Sequence, residues 1–374
     1  MNGKYYMINN NAIYVTKPFL PPMDEYIPYL ERIWTSGILT NEGQLYKELE
    51  NKLKITFNWN NTSLFTNGHL ALEIALKALN LKPGGEIITT PFTFVSTTAA
   101  IVNQGFKPVF CDVTDNYTID SNIIEDLITD KTVAILPVHV YGFPCDVENI
   151  DYLAKKYNFK VIYDAAHALG VQYKGRDISS YGDISMFSFH STKLFHTIEG
   201  GALVYSDSKL KKDIDLNKNF GISGQETIDL IGINAKMNEF QASMGLLLLN
   251  YIDNIIIKRK QIYERYFSNL NGLQNICIKR IDDELKYNYS YMPVLFEGNR
   301  DKIFEYLKNN YVFARKYFYP CISNVECYKK YFRNNLLVKA DKISNNIICL
   351  PIYPSLELSQ VDYICQLIHD AIKK

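Results

Sequence analysis

The sequence predicts an α/β fold with a mostly parallel central sheet flanked by helices, followed by a smaller C-terminal α+β domain. Three observations lead there. Between Glu86 and Asp164, short runs rich in Ile and Val alternate with helix-length stretches, the pattern of repeated βαβ units. The chain has 374 residues, 47% of them hydrophobic, enough for one large and one small core. From about Tyr266 onward the strand–helix alternation thins out. The expected division is an N-terminal arm over residues 1–45, a large α/β domain over 46–250 and a small domain over 251–374.

Taken in order, the arm is interrupted by Pro18, Pro21 and Pro22, and Met23 to Thr35 suits one short helix. Glu42 to Ile55 carries Leu45, Leu49 and Leu53 at four-residue spacing, an amphipathic helix. Asn67-Gly68-His69 then leads into the apolar-periodic stretch Leu70 to Leu79. A glycine where a helix opens lets backbone N–H groups approach an anion, and the helix dipole adds attraction. Gly68 therefore marks a place for a phosphate, although a single glycine before a helix is common. The alternation proper runs through strand Glu86 to Thr89, helix Val95 to Gln104, strand Pro108 to Asp112 and helix Ser121 to Leu127. It continues with strand Val133 to Val138, helix Val147 to Tyr157 and strand Lys160 to Asp164. Two more buried strands follow, Ile184 to Phe189 and Ala202 to Tyr205, and then a long helix, Asn238 to Arg265. In the small domain Tyr289 to Phe296 is a strand, Asp301 to Asn309 a helix, and Val361 to Lys373 a closing helix with Val361, Ile364, Leu367, Ile368 and Ile372 on one face.

Two residues carry the chemistry. Lys193 falls on the loop between the strands Ile184 to Phe189 and Ala202 to Tyr205. A desolvated amine there has a lowered pKa and is a nucleophile able to form a Schiff base with a carbonyl. Asp164 stands at the carboxyl end of a buried strand, where ligands collect in open α/β sheets. Taken singly, the lysine reads as a surface charge and the aspartate as a cap on the next turn. Together they meet the needs of pyridoxal phosphate (PLP): a lysine for the aldehyde and a carboxylate that keeps the ring nitrogen protonated.

Composition narrows the alternatives. Lys+Arg and Asp+Glu balance at 40 each, which argues against a general nucleic-acid binder. The seven cysteines are scattered, with no CxxC spacing, so a reduced, cytoplasmic setting is expected, with no disulfide framework and no metal site. No apolar run approaches membrane-spanning length, and the opening MNGKYYMINN lacks a signal core. HExxH and P-loop patterns are missing.

The stretches KVIYDAAHALG, DISMFSFHSTKLFHTIEGG and GINAKMN resemble the sugar-nucleotide aminotransferases of the DegT/DnrJ/EryC/StrS type, over nearly the whole chain. The resemblance implies a fold-type-I PLP-dependent transferase with Lys193 and Asp164 catalytic. It implies a phosphate site where Asn67-Gly68-His69 replaces the family's Ser-Gly-Thr, so the backbone contact is kept and the hydroxyl lost. It further implies that Phe94 stacks on the pyridine ring and that Ser188 binds the phosphate. His167 would contact the cofactor's phenolic oxygen where the family often has glutamine, since an imidazole N–H can donate there. Read without the family, Phe94 is a core aromatic, His167 a structural histidine, and Ser188 a strand-end serine bonded to its own backbone.

Asn234, otherwise a turn residue, corresponds to an asparagine that reaches the phosphate of a neighbouring subunit, which implies a homodimer with shared sites. The arm around Thr40, together with Arg315, Tyr317 and Tyr319, would receive the sugar nucleotide. The segment Arg315 to Pro320 reads equally well as an edge strand. By the same resemblance glutamate donates the amino group, and freed Lys193 moves the proton as base and then acid. Within the family, HSTKLFHTIEGG, INAKMNEFQA and RKYFYP look most like the branch that aminates dTDP-4-keto-6-deoxyglucose at C4. A 3-keto or UDP-linked sugar, or a non-catalytic role in a polysaccharide pathway, are the other readings.

Overall fold

The computed structural model describes residues 12–282, 284–331 and 337–373. The opening stretch MNGKYYMINN, and with it the start of the arm, lies outside the described residues. Helices α1 (Met23–Ser36) and α2 (Gln44–Phe57) precede strand β1 (Asn61–Phe65) and helix α3 (Gly68–Ala78). Then come β2 (Glu86–Thr89), α4 (Val95–Asn103), β3 (Lys107–Phe110), β4 (Thr132–Leu136), α5 (Val147–Tyr157) and β5 (Lys160–Asp164). Strands β6 (Ile184–Ser188) and β7 (Gly201–Tyr205), and helix α6 (Leu210–Asn217), complete this part.

The seven strands form one sheet in the order β1-β7-β6-β5-β4-β2-β3. Neighbours pair in parallel except at β7, which runs antiparallel to both β1 and β6. Successive strand side chains point to opposite faces, and the core divides accordingly. Ile88, Val161 and Val204 face one layer, with Leu49 and Leu53 of α2 and Ile150 and Leu153 of α5. Ile87, Ile162 and Leu203 face the other, with Leu72 of α3, Ile101 of α4 and Ile214 of α6. Because both faces are covered, these strands read as continuous apolar runs rather than as alternating ones.

Helices α7 (Glu239–Leu248) and α8 (Ile252–Leu270) lead to a three-stranded antiparallel sheet, β8 (Ile276–Ile278), β9 (Pro293–Phe296) and β10 (Ile347–Cys349), with β9 central. Helices α9 (Arg300–Asn309), α10 (Val338–Asn346) and α11 (Leu358–Lys373) accompany it. Ile262 and Tyr266 of α8, Leu307 of α9, Val361 and Ile368 of α11, and Val294 of β9 share one buried cluster. The arm is tied in by Ile13–Tyr14, which pairs in parallel with Val312–Phe313.

Four expectations are corrected. Ser121 to Leu127 is not an α-helix but two 3₁₀ turns, Ser121–Ile123 and Glu125–Leu127. The Asp120 carboxylate accepts from the Asn122 amide there, and such local side-chain bonds compete with an α-helical ladder. The single helix from Asn238 to Arg265 is broken by a 3₁₀ turn at Leu249–Tyr251. The strand placed from Tyr289 begins only at Pro293, because Asn288 accepts from the Ser290 amide and Tyr289 adopts a left-handed φ of 54°. Finally, Glu239–Leu270 does have the length and apolar content of a membrane crossing. Every residue of α7 except Phe240 is buried, and the buried Arg259 of α8 donates to the Ser290 carbonyl at 3.1 Å, the behaviour of a core helix.

Candidate active site

The site is built at the carboxyl edge of the sheet. β1, β5 and β6 are parallel, so Asn67, Asp164 and Ser188 emerge on one edge, and antiparallel β7 enters there at Gly201, paired to both Phe65 and Ser188. Asn67 caps α3, its side-chain oxygen accepting from the Leu70 amide at 2.8 Å. The Gly68 and His69 amides lie ahead of the helix's own ladder and are free to bind an anion. A Cβ on Gly68 would stand 3.1 Å from the Ser188 Cβ, and one on Gly201 would stand 2.7 Å from the Gly68 Cα. Two glycines and a hydroxyl thus line a cradle that only bare backbone can form. The His69 ring points elsewhere, its Nδ1 2.8 Å from Ser96 Oγ and its Nε2 3.2 Å from Glu73 Oε1.

Asp164 is 4% exposed, and its carboxylate accepts from Thr97 Oγ1 at 2.7 Å and from the Ala166 amide at 3.1 Å. Thr97 is in turn 3.0 Å from Thr93 Oγ1. Burial raises the Asp164 pKa, while these bonds and the charge of Lys193 pull it down. A buried carboxylate with lone pairs to spare and no directly bonded cation calls for a positively charged partner. Lys193 sits in the turn after β6, its amide bonded to the His190 carbonyl at 2.8 Å. Its Nζ is 3.2 Å from the Tyr291 hydroxyl. Burial lowers its pKa to about 8, against the opposing pull of Asp164 and Tyr317.

His167 is buried, and its Nδ1 accepts from the Tyr141 amide at 3.0 Å. Burial and the charge of Lys193 hold its pKa well below the usual histidine range. The ring is therefore neutral with its proton on Nε2, a fixed donor. It is 4.6 Å from the Tyr291 ring and lies nearly parallel to Phe318 at 5.9 Å. Phe94 is the N-cap residue of α4, three positions before Thr97, and its ring is 57% exposed. An apolar ring left open on the helix that holds Asp164 is free to stack on a flat ligand.

The remaining expected residues lie further out. Asn234 is exposed on a loop bridged to Asn219, and its neighbour Ala235 accepts from the Thr66 amide at 2.8 Å, beside the cradle. Thr40 is exposed on the turn after α1. The Arg315 backbone pairs with Cys349 and its side chain is exposed. Tyr317 accepts at its carbonyl from the Tyr141 hydroxyl and shares an edge-on contact with Tyr291 at 6.1 Å. Tyr319 is covered by the Arg300 guanidinium, 4.3 Å from its centroid. Sequence reading missed Thr97 and Tyr291. Thr97 had a faint signal, standing four residues after Thr93 on one helical face, whereas Tyr291 is one of 28 tyrosines.

The donor set fits PLP: an anion cradle at a helix opening, a buried carboxylate for a ring nitrogen, a neutral imidazole donor and an amine of lowered pKa. The fold and site define a PLP-dependent aminotransferase of the α/β type. The DegT/DnrJ/EryC1/StrS aminotransferase family model matches residues 23–369, and the chain belongs to that family. It is 42% identical to a dTDP-4-amino-4,6-dideoxy-D-glucose transaminase of Shigella dysenteriae, over 96% of this chain and 98% of the relative. Among solved structures, DesI in the presence of its TDP-sugar product superposes with a TM-score of 0.91 at 28% identity, covering 96% of this chain and 93% of that one. Spr1654 of Streptococcus pneumoniae, a putative sugar aminotransferase in its PLP form, gives 0.89 at 26% identity, with 97% and 99% covered.

Proposed function

We propose that this enzyme transfers the amino group of L-glutamate to C4 of dTDP-4-keto-6-deoxy-D-glucose, giving dTDP-4-amino-4,6-dideoxy-D-glucose. The observation that carries this reading is the 42% identity, along nearly the whole chain, to a transaminase named for that product. When bound, PLP supplies an aldehyde that takes the amino group and a protonated ring that absorbs electrons from the adjacent carbon. This chain's residues do the rest. The Gly68 and His69 amides and Ser188 hold the phosphate, with Asn67 framing the helix opening. The Asp164 carboxylate keeps the ring nitrogen protonated, His167 Nε2–H donates to the phenolic oxygen, and Phe94 covers the ring and excludes water. Lys193 Nζ would hold the aldehyde carbon and, when free of it, would take a proton from the substrate carbon and return it on the far side of the transfer.

The active unit in this reading is a homodimer. Asn234 completes the phosphate site of a neighbouring copy, while Thr40, Arg315, Tyr317 and Tyr319 receive the sugar nucleotide. The proposed division into an arm (1–45), a large domain (46–250) and a small domain (251–374) places the site between the last two. The seven cysteines are all free, which suits the reducing cytoplasm.

The test is an absorption spectrum of purified protein with PLP. A visible band that is lost in Lys193→Ala and moves to the near ultraviolet with glutamate is expected. Restoration of the band by dTDP-4-keto-6-deoxy-D-glucose, with a product of the expected mass, would complete the assignment. No restoration with that sugar, but restoration with a 3-keto or UDP-linked one, would overturn the substrate.

A further inference from the structure

The hydroxyl of Tyr291 is the hydrogen-bond partner of the reactive amine, at 3.2 Å from Lys193 Nζ, and the ring itself lies 5.7 Å from that nitrogen. Its position is set from several sides. The ring contacts His167 at 4.6 Å, Tyr141 at 5.6 Å and Tyr317 at 6.1 Å. Its chain neighbours are pinned as well: the Ser290 carbonyl accepts from Arg259 at 3.1 Å, and the Met292 carbonyl accepts from the Leu350 amide at 2.9 Å. Burial holds the phenol well above its usual pKa, so it stays protonated.

The geometry points to Tyr291 as the residue that receives the amine of Lys193 whenever that amine is free of the cofactor, and keeps it aimed during proton transfer. This rests on the aminotransferase reading above. A phenol suits the task because its O–H rotates: the oxygen accepts from an ammonium, and the O–H donates to a neutral amine. The contact therefore survives both protonation states that a base-then-acid lysine passes through. In the same cycle the proton gained at Nζ is the one returned, so the hydroxyl is neither consumed nor ionised. The groups facing the amine are Asp164, which favours its charge, and His167, Tyr317 and Tyr291. Charge-assisted bonds are about twice as strong as neutral ones. Removing the hydroxyl thus costs the ammonium more than the amine, and the Lys193 pKa should fall.

The test is Tyr291→Phe, which keeps the ring and deletes one oxygen. In cofactor-free protein, Lys193 is pulse-labelled with acetic anhydride across a pH series and its occupancy read by peptide mass spectrometry. The labelling midpoint should fall by about one pH unit from the wild-type value. In the PLP-loaded protein, the single-turnover rate with glutamate should drop roughly tenfold with the glutamate KM little changed. A midpoint that stays put or rises overturns the inference, as does a lowered midpoint with an unchanged turnover rate. The labelling step uses neither sugar nor donor, so a wrong substrate assignment would leave it untouched.

Discussion

Lys218 and Glu42 form an ion pair with Nζ 2.8 Å from Oε1, and the lysine side chain is only 1% exposed. The same Nζ is 2.8 Å from Asp215 Oδ1 and 2.9 Å from the Tyr46 hydroxyl. Glu42 and Asn41 are consecutive residues in the left-handed region, at φ 60° and 63°, a conformation that non-glycine residues rarely hold unaided. From the other side the buried Glu239 carboxylate accepts from the Leu45 and Tyr46 amides at 2.8 and 3.0 Å, at the opening of α2. Two opposite buried charges thus clamp the turn that follows Thr40.

Lys218→Met leaves Asp215 and Glu42 without their shared cation. The cost should be about 3 kcal/mol in urea unfolding, the low end for a broken buried pair because Glu42 keeps contact with water. A loss under 1 kcal/mol would mean the pair is idle.

The acid limb of stability follows from Asp215. Despite the opposing effect of burial, Lys218 and Lys211 hold its folded pKa below the usual carboxylate value. Its contribution is therefore full above the unfolded pKa and is lost as pH falls through the folded one. Melting temperature should decline more steeply between about pH 4 and pH 2 in the wild type than in Asp215→Asn. Parallel curves would remove Asp215 from the account.

Asp164→Asn should retain the phosphate contacts yet lower kcat by roughly a hundredfold, since losing one member of a buried charge pair costs about 3 kcal/mol. Because Asp164 raises the Lys193 pKa, the same change should shift the Lys193 labelling midpoint below about 8. A midpoint moving upward would contradict the electrostatics described for the site.

Thr97→Val removes the 2.7 Å bond to Asp164 while keeping the side chain's shape. A bond to a charged acceptor is worth about 1.5–3 kcal/mol, so turnover should fall roughly tenfold or more, with the cofactor still bound. Thr93→Val, which acts on Asp164 only through Thr97, should cost less.

Gly201→Ala sets a methyl 2.7 Å from the Gly68 Cα. The strain should cost about 1–3 kcal/mol of stability, seen as a lower melting temperature, and should weaken PLP retention during dialysis. Wild-type retention would show that the cradle tolerates displacement.

What the sequence disclosed depended on distance along the chain. Asp164 was legible because it stands at the end of an apolar run, and strand ends gather on one edge of a parallel sheet; Lys193 was legible on the loop between two such runs, and Ser188 only through the family resemblance. Gly68 was legible as a glycine ahead of an apolar-periodic stretch, where a helix opens. Thr97, Tyr291 and Lys218 act through partners 67, 98 and 176 positions away, arithmetic that periodicity does not contain. Lys218 looks like any solvated lysine until Glu42, Asp215 and Tyr46 are folded around it. The 3₁₀ turns at Ser121–Leu127 went unread because the decisive bond is a side chain returning to its own backbone.

The position of β7 has a consequence for assembly of the molecule. The glycine-lined cradle joins the end of β1, the opening of α3 and the end of β6 through Gly201, and β7 must slot antiparallel between β1 and β6 before these meet. The first two of these lie more than a hundred residues before the last two, so an early fragment of the chain holds only half of the cradle. Cofactor capture is thereby a late event that requires a finished sheet.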